Sequence, residues 1–313
     1  SLDDTKWLIT YHSDIDPVKY YIYDRNNKKI QFLFSNNSEL DKYSFFPMYP
    51  VIIKTRDNLD LVSYLTLPTK NKMKKHPEEP LPMVLLVHGG PWNRDSFGIN
   101  PMHQWLASRG YAVLSVNFRG SRGFGKKFLN AGNMEWGNKM QYDLIDAVNW
   151  SVKNKIAQAD KICIMGSSYG GYAVLSALAF TPDIFACGIS VSGPSNLVTF
   201  TNYLDKTQGA RNNIYKMRIG SWETAEDKEF LKARSPLFFA HKINKPLLIA
   251  HGLNDAKVHI SESEQIVREM KKYNIPVQYI VFENEGHNIT QLENKISFFT
   301  QVDKFLFNII GQH

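Results

Sequence analysis

The sequence predicts an α/β fold with a mostly parallel central sheet and helices on both faces. Three observations predict it. Strand-length apolar runs alternate with helix-length amphipathic segments from residue 83 onward, the pattern of strands buried on both sides. A hairpin-like pair of β-rich runs precedes them over residues 50 to 67. Finally, small residues crowd the junction of one apolar run with the next helix in "CIMGSSYGGYAVLSAL", residues 163 to 178.

Residues 1 to 45 differ in texture from the rest. "KWLITYH", "KYYIYD" and "KIQFLFS" are short β-rich runs separated by turn residues, Asn26-Asn27 among them, and read as a three-stranded meander. Such a meander has little core of its own, so it is expected to lean on the main domain, meet a second copy or belong to a larger sheet. The division expected is therefore a meander over 1–45 and one α/β domain over 46–313. That domain opens with "VIIKT", a turn at Arg56-Asp57-Asn58, and "LDLVSYLTLP". Strands follow at Met83–Val87, Ala112–Asn117, Ile162–Met165, Cys187–Val191, Leu247–Ala250 and Val277–Phe282. Helices are expected at Met102–Arg109, Met140–Lys153, Tyr169–Phe180, Glu262–Lys272 and Lys295–Ile310. Residues 196 to 240 are the least regular stretch and are expected to cover the carboxyl edge of the sheet, where open α/β folds bind ligands.

Composition narrows the class. With 43 % apolar and 21 % charged residues, the chain is an ordinary globular protein, and 313 residues suffice for one large domain with an appendage. No run of eighteen apolar residues exists, so no membrane span is expected. The net charge of +7 includes the basic run Lys70–His76, "KNKMKKH", read as a solvated loop. Without stacking aromatics interleaved among basic residues, no nucleic-acid partner is expected. Cys163 and Cys187 each sit in an apolar segment and read as two buried free thiols, one disulfide being the alternative. Neither has metal-ligand spacing around it. The chain begins Ser-Leu-Asp-Asp, without a signal peptide, and reads as a fragment, a processed chain or a trimmed one. A cytoplasmic location is the expectation, although a removed leader would leave no trace.

The crowded junction carries the chemistry. Gly166-Ser167-Ser168-Tyr169-Gly170 fits G-x-S-x-G between a strand and a helix. Its middle serine, Ser168, would stand on a strained turn as a nucleophile, whereas Ser167 is offset by one residue and takes a structural role. A Gly-rich turn without chemistry is the competing reading of the pattern alone. A nucleophilic serine needs a base, and the base needs an orienting acid. In this fold order both follow the serine after later strands. "PLLIAHGLNDAKV" supplies Asp255 and "VQYIVFENEGHNI" supplies His287. His259 is a weaker base, next to Asp255 on its own loop. His251 is expected to make a structural hydrogen bond, Glu285 is badly placed as a partner for His287, and Asn254 lacks the charge. An oxyanion needs two donors: the N–H of Tyr169, and one from the loop "LLVHGGPW", where Gly89 and Gly90 clear the way. His88 is expected to brace that loop.

Together "GSSYGGY", "VHGGPWNRD", "VNFRGSRGFG", "HGLNDAKV" and "EGHN" resemble the catalytic domain of the prolyl oligopeptidase family, in its acylaminoacyl-peptidase-like branch. The resemblance covers about residues 45 to 313 and implies an α/β-hydrolase fold. Residues 1 to 45 are similar to the last blade of the β-propeller that precedes this domain in the family, the rest of which is missing here. The resemblance implies Ser168, Asp255 and His287 as the triad and Gly90 and Tyr169 as oxyanion donors. It implies Val258 as a wall of the pocket on the acyl side, with Leu197 and Phe200 as further walls. It also implies a serine peptidase acting on short peptides through an acyl-enzyme, of oligopeptidase or aminopeptidase/acylaminoacyl-peptidase type, without cofactor or metal. An esterase on the same scaffold and a silent interaction module are the rivals, and a homo-oligomer is a candidate assembly. Asn288 departs from the small or aromatic residue usual after the histidine.

Overall fold

The computed structural model describes residues 1–71, 75–209 and 212–311, and within them the strands sort into two separate sheets. The first holds β1 (Lys6–Tyr11), β2 (Lys19–Asp24) and β3 (Lys29–Ser35), antiparallel in chain order. Its aromatics stay largely in solvent: Trp7 is 47 % and Phe34 53 % exposed. Stacking within the sheet, such as Tyr20 on Phe34 at 4.7 Å, covers part of each ring. In the connection between β1 and β2, Asp14 Oδ2 accepts the Met48 N–H of the second sheet at 2.8 Å and Pro17 is buried, while farther along the Gln104 amide bonds both backbone groups of Phe46.

The second sheet has eight strands: β4 (Met48–Lys54), β5 (Asp60–Thr66), β6 (Leu81–Val87), β7 (Ala112–Val116), β8 (Ala157–Ser167), β9 (Cys187–Val191), β10 (Leu247–Gly252) and β11 (Gln278–Phe282). Their order is β11-β10-β9-β8-β6-β7-β5-β4. The β4–β5 hairpin and the β5–β7 pairing are antiparallel, and every pairing from β7 to β11 is parallel. The chain first steps from β6 to β7, then returns to the other side of β6 with β8 and continues outward. That reversal leaves a crevice beyond the carboxyl ends of β6 and β8, the place where open α/β sheets bind ligands.

Helices cover both faces and bury two apolar layers. On one face α3 (Lys139–Lys153), α4 (Tyr169–Phe180) and α8 (Ser261–Lys272) pack over Leu85, Leu114, Ile164 and Ile249. On the other, α1 (Pro101–Ser108) and α9 (Leu292–Ile310) pack over Val84, Val113, Met165 and Leu248. Asn100 caps α1 by accepting the N–H groups of Met102 and His103, and Pro101 follows at a position where no N–H is needed. The remaining described helices are α2 (Lys126–Asn130), α5 (Leu197–Gln208), α6 (Asn212–Arg218) and α7 (Ala225–Lys232).

The region 196 to 240 is thus helical rather than irregular. Its helices are short and begin on caps, Asn196 for α5 and a Thr224–Asp227 capping box for α7, so little apolar periodicity marks them. Cys163 and Cys187 face each other in the β8–β9 register as buried free thiols. Part of the basic run, residues 72–74, lies outside the described residues. No described helix is long and apolar enough to cross a membrane.

Candidate active site

Four loops meet at the crevice, each leaving the carboxyl end of a parallel strand. After β8 the chain reverses into α4 on one residue, Ser168, at φ 60° and ψ −119°. A residue with a side chain costs about 1–3 kcal/mol in such a conformation. The turn is held by the Ser168 N–H donating to Val191 O at 2.8 Å. It is also enforced by packing: a Cβ on Gly170 would stand 2.1 Å from the carbonyl oxygen of Val87, so the helix start can lie against β6 only without a side chain there. Tyr169 opens α4, so its N–H has no carbonyl one turn back to bond. The positive end of the helix therefore faces the turn.

The loop after β6 lies directly against this turn. A methyl on Gly89 would stand 3.3 Å from Ser168 Cβ and 4.0 Å from its Oγ. Gly90 follows at φ +117°, where a Cβ would meet the Trp92 nitrogen at 2.5 Å. His88 braces the loop. Its Nε2 lies 2.9 Å from Ser121 Oγ, its Nδ1 lies 2.9 Å from Gly89 O, and its ring stacks on Phe118 at 4.5 Å. Burial lowers its pKa to about 4, so it stays neutral at neutral pH.

The loops after β10 and β11 bring Asp255 and His287 together. Their Oδ2 and Nδ1 are 2.7 Å apart, with the carboxyl fully buried and the imidazole partly exposed. A carboxylate only accepts, so Nδ1 carries the proton and Nε2 is left with its lone pair. Oδ2 also receives His251 Nε2 at 3.2 Å, and Oδ1 receives the N–H groups of Lys257 (2.8 Å) and Val258 (3.0 Å). Burial pushes the Asp255 pKa up. The hydrogen bonds from His251, His287 and the Val258 N–H outweigh it and hold the carboxyl well below its usual range.

Two features that fix this pair carry no chemistry of their own and escape a sequence reading. Gly252 lets the loops cross, since a Cβ there would stand 2.1 Å from Gly286 O. Asn254 laces them, its N–H to Glu285 O at 2.9 Å and its Nδ2 to Glu283 O at 2.7 Å. The rival partners are engaged elsewhere. Glu285 accepts from Thr290, Gln291 and Asn294 at the start of α9, and His259 bonds Ser261.

Val258, Leu197 and Phe200, expected as walls of the acyl-side pocket, are buried in one core with Tyr169, and Trp136 meets Tyr169 edge-on (4.6 Å) and lies tilted to Phe200 (6.2 Å). In this packing they back the site rather than face solvent. Glu262, fully buried, accepts the N–H groups of Ser195 (2.9 Å) and Asn196 (2.8 Å) and so sets the start of α5, where Leu197 sits. No group of three or more His, Cys, Asp or Glu side chains suited to a metal occurs among the described residues.

A strained serine between strand and helix at the switch point, with a buried acid bonded to a histidine after later strands, is the architecture of an α/β-hydrolase. The family comparison agrees: the prolyl oligopeptidase family model matches residues 97–313, and the chain belongs to that family. It is similar to dipeptidyl aminopeptidase BIII of Pseudoxanthomonas mexicana, 48 % identical over 99 % of this chain and 45 % of that protein. It is 40 % identical to dipeptidyl peptidase family member 6 of Caenorhabditis elegans, over 99 % of this chain and 44 % of that protein. Among solved structures, a puromycin-hydrolyzing peptidase of Mycobacterium tuberculosis superposes with a TM-score of 0.86 at 26 % identity, over 99 % of this chain and 46 % of that one. The chain thus spans less than half the length of these relatives.

Proposed function

We propose that this chain is the catalytic part of a serine peptidase that hydrolyses short peptides. Ser168 Oγ attacks the scissile carbonyl as His287 Nε2 takes its proton. The backbone N–H groups of Tyr169 and Gly90 stabilise the oxyanion, and Asp255 holds the imidazole in the productive tautomer. His287 then protonates the leaving amine, and water attacks the acyl-enzyme with the same base. One observation carries the reading: Asp255 holds His287 at 2.7 Å, and His287 lines one cavity with Ser167, the neighbour of a serine held at positive φ. Two relatives similar over nearly the whole chain are named dipeptidyl aminopeptidase and dipeptidyl peptidase, which favours release of dipeptides from free N-termini. Residues 1 to 45, with their exposed aromatics, are on this reading a propeller-blade remnant whose faces other blades or a second copy would cover.

Fluorophosphonate labelling tests the nucleophile. Ser168→Ala should abolish labelling and lower turnover by more than about a thousandfold, while Ser167→Ala keeps most of both. Equal loss in the two variants would mean that the turn, not the nucleophile, had been removed. Anilides of free dipeptides, single amino acids and N-acetylated amino acids then read the exopeptidase type. Cleavage of the N-acetylated class alone would replace the dipeptidyl assignment.

A further inference from the structure

A cavity of about 390 Å³ lies beside the candidate active site, on the α1/α9 face of the sheet. Its walls are mostly apolar, among them Val87, Met102, Met165, Ile289 and Phe299, and exposed Asn288 and Lys295 stand among its lining. Ser167, Gly89 and His287 also line it, so it reaches the nucleophile turn and the base. The acyl-side walls Val258, Leu197 and Phe200 belong instead to the core on the α3/α4/α8 face.

We propose that this cavity is the leaving-group subsite of the peptidase, shaped to take a bulky apolar side chain on the amine side of the scissile bond. The inference rests on the serine-peptidase reading and deepens it. The proton path fixes the side. In acylation the Ser168 Oγ–carbon bond forms and the carbon–nitrogen bond breaks, and the proton that His287 took from Ser168 passes to the departing nitrogen. That nitrogen must therefore leave along the face of His287, and the cavity is the space His287 lines. The residue before the nucleophile is a serine, small enough to keep the passage from the turn open. The volume is of the size that holds small ligands, and the lining rewards apolar burial. One polar atom has nothing to bond: Asp95 Oδ2 is buried in the wall without a hydrogen-bond partner. A peptide leaving group brings N–H donors of the kind that this oxygen lacks.

The test uses the reverse of the leaving step. An aminoacyl or dipeptidyl methyl ester, the best substrate from a panel, forms the acyl-enzyme. Glycinamide, leucinamide and phenylalaninamide then compete with water for it. The amine nitrogen bonds the acyl carbon, the Ser168 ester bond breaks, and the amine's proton returns through His287 to Ser168. Amide and acid products come from one common intermediate, so their ratio is independent of how fast that intermediate forms.

Leucinamide and phenylalaninamide should be favoured over glycinamide by at least about tenfold, the order expected for a filled apolar pocket. Met102→Trp, which fills the cavity, should bring the preference close to one. Equal partition among the three acceptors in the unaltered protein would overturn the proposal, as would a preference that Met102→Trp leaves intact. If that variant does not label with fluorophosphonate and so has not folded, Phe299→Ala gives the same reading with the opposite sign. It should improve tryptophanamide relative to leucinamide, and an unchanged ratio would overturn the proposal. Failure of every ester together with failure of fluorophosphonate labelling in the unaltered chain would instead remove the peptidase reading, and this subsite with it.

Discussion

Asp255→Asn separates the two tasks of the buried acid. In the protein as it stands, Oδ1 accepts the N–H groups of Lys257 and Val258, and Oδ2 accepts His287 Nδ1 and His251 Nε2. Asparagine offers one oxygen and one NH2. If the oxygen stays on the loop amides, the loop keeps its turn and the NH2 faces both imidazoles. His251 loses little, because Val258 O lies 2.9 Å from the same nitrogen. His287 loses the acceptor of its Nδ1 proton. Its ring then takes the other tautomer, with the proton on Nε2, where it can no longer accept one from Ser168. The opposite orientation leaves two backbone donors facing an NH2, at about 1–3 kcal/mol each, and is disfavoured.

A wrong tautomer in an intact triad lowers turnover by about ten-thousandfold, or about 5.5 kcal/mol of transition-state stabilisation. Ester turnover and the second-order rate of fluorophosphonate labelling should fall together, with the fold retained by circular dichroism. The stability difference has a defined sign with pH. The folded pKa of Asp255 is depressed, so the stabilisation it gives is fully present above the unfolded value of about 4 and is lost as pH falls further. The gap in denaturant midpoint between the two proteins should therefore be full at pH 7 and close only in acid. An asparagine variant within tenfold of the original activity and labelling rate would refute the assignment of Asp255.

Gly170→Ala should cost at least about 2 kcal/mol by urea unfolding, because its methyl would stand 2.1 Å from a backbone oxygen that cannot move aside. An unchanged midpoint with full activity would show that α4 does not press on β6. Glu262→Gln should raise KM severalfold with kcat nearly unchanged, because it loosens the start of α5 but not the triad; a fall in kcat alone would contradict this. Burial raises the Asp95 pKa to about 7, so the folded state resists its ionisation and stability is lost as pH rises from about 4 to about 7. Asp95→Asn should therefore raise the melting temperature at pH 8 and do little at pH 4. The variant-minus-original difference is the quantity to measure, since buried His88 and His103, both lowered by burial, push stability the other way across the same range. A difference that does not grow with pH would mean that the carboxyl is solvated.

The succession of strands along the chain and the loops that bear Ser168, Asp255 and His287 are legible in the sequence because local signals agree there. The runs feeding them are continuously apolar, and each ends in a short loop with a chemically distinctive residue. The helices of residues 196 to 240 are not legible, because α6 and α7 are too short for a 3.6-residue period to stand out and α5 begins on a cap rather than on an apolar stripe. The tie from Asn254 to Glu283 and Glu285 is a contact across 29 and 31 residues, and nothing in "GLNDA" distinguishes such a bond from a plain turn residue. The Glu262 carboxylate behind Ser195 is hidden for the same reason. A glutamate in the first turn of an amphipathic helix reads as solvated, and only the fold buries it.

The catalytic geometry is set less by the residues that react than by those that let backbones touch. Ser168 reaches the crevice because α4 can start hard against the end of β6, and it does so over Gly170. Asp255 meets His287 because the β10 and β11 loops can cross, and they do so over Gly252. At both points an ideal Cβ would lie 2.1 Å from a backbone oxygen, a distance that no rotamer change relieves. A serine, an aspartate and a histidine could be placed at these ranks along many α/β chains without ever meeting. In this one, the close approaches over Gly170 and Gly252 set the Ser168 turn against the end of β6 and the Asp255 loop against the His287 loop. On the reading proposed above, the core on the α3/α4/α8 face backs the acyl side and the cavity on the α1/α9 face takes the leaving group.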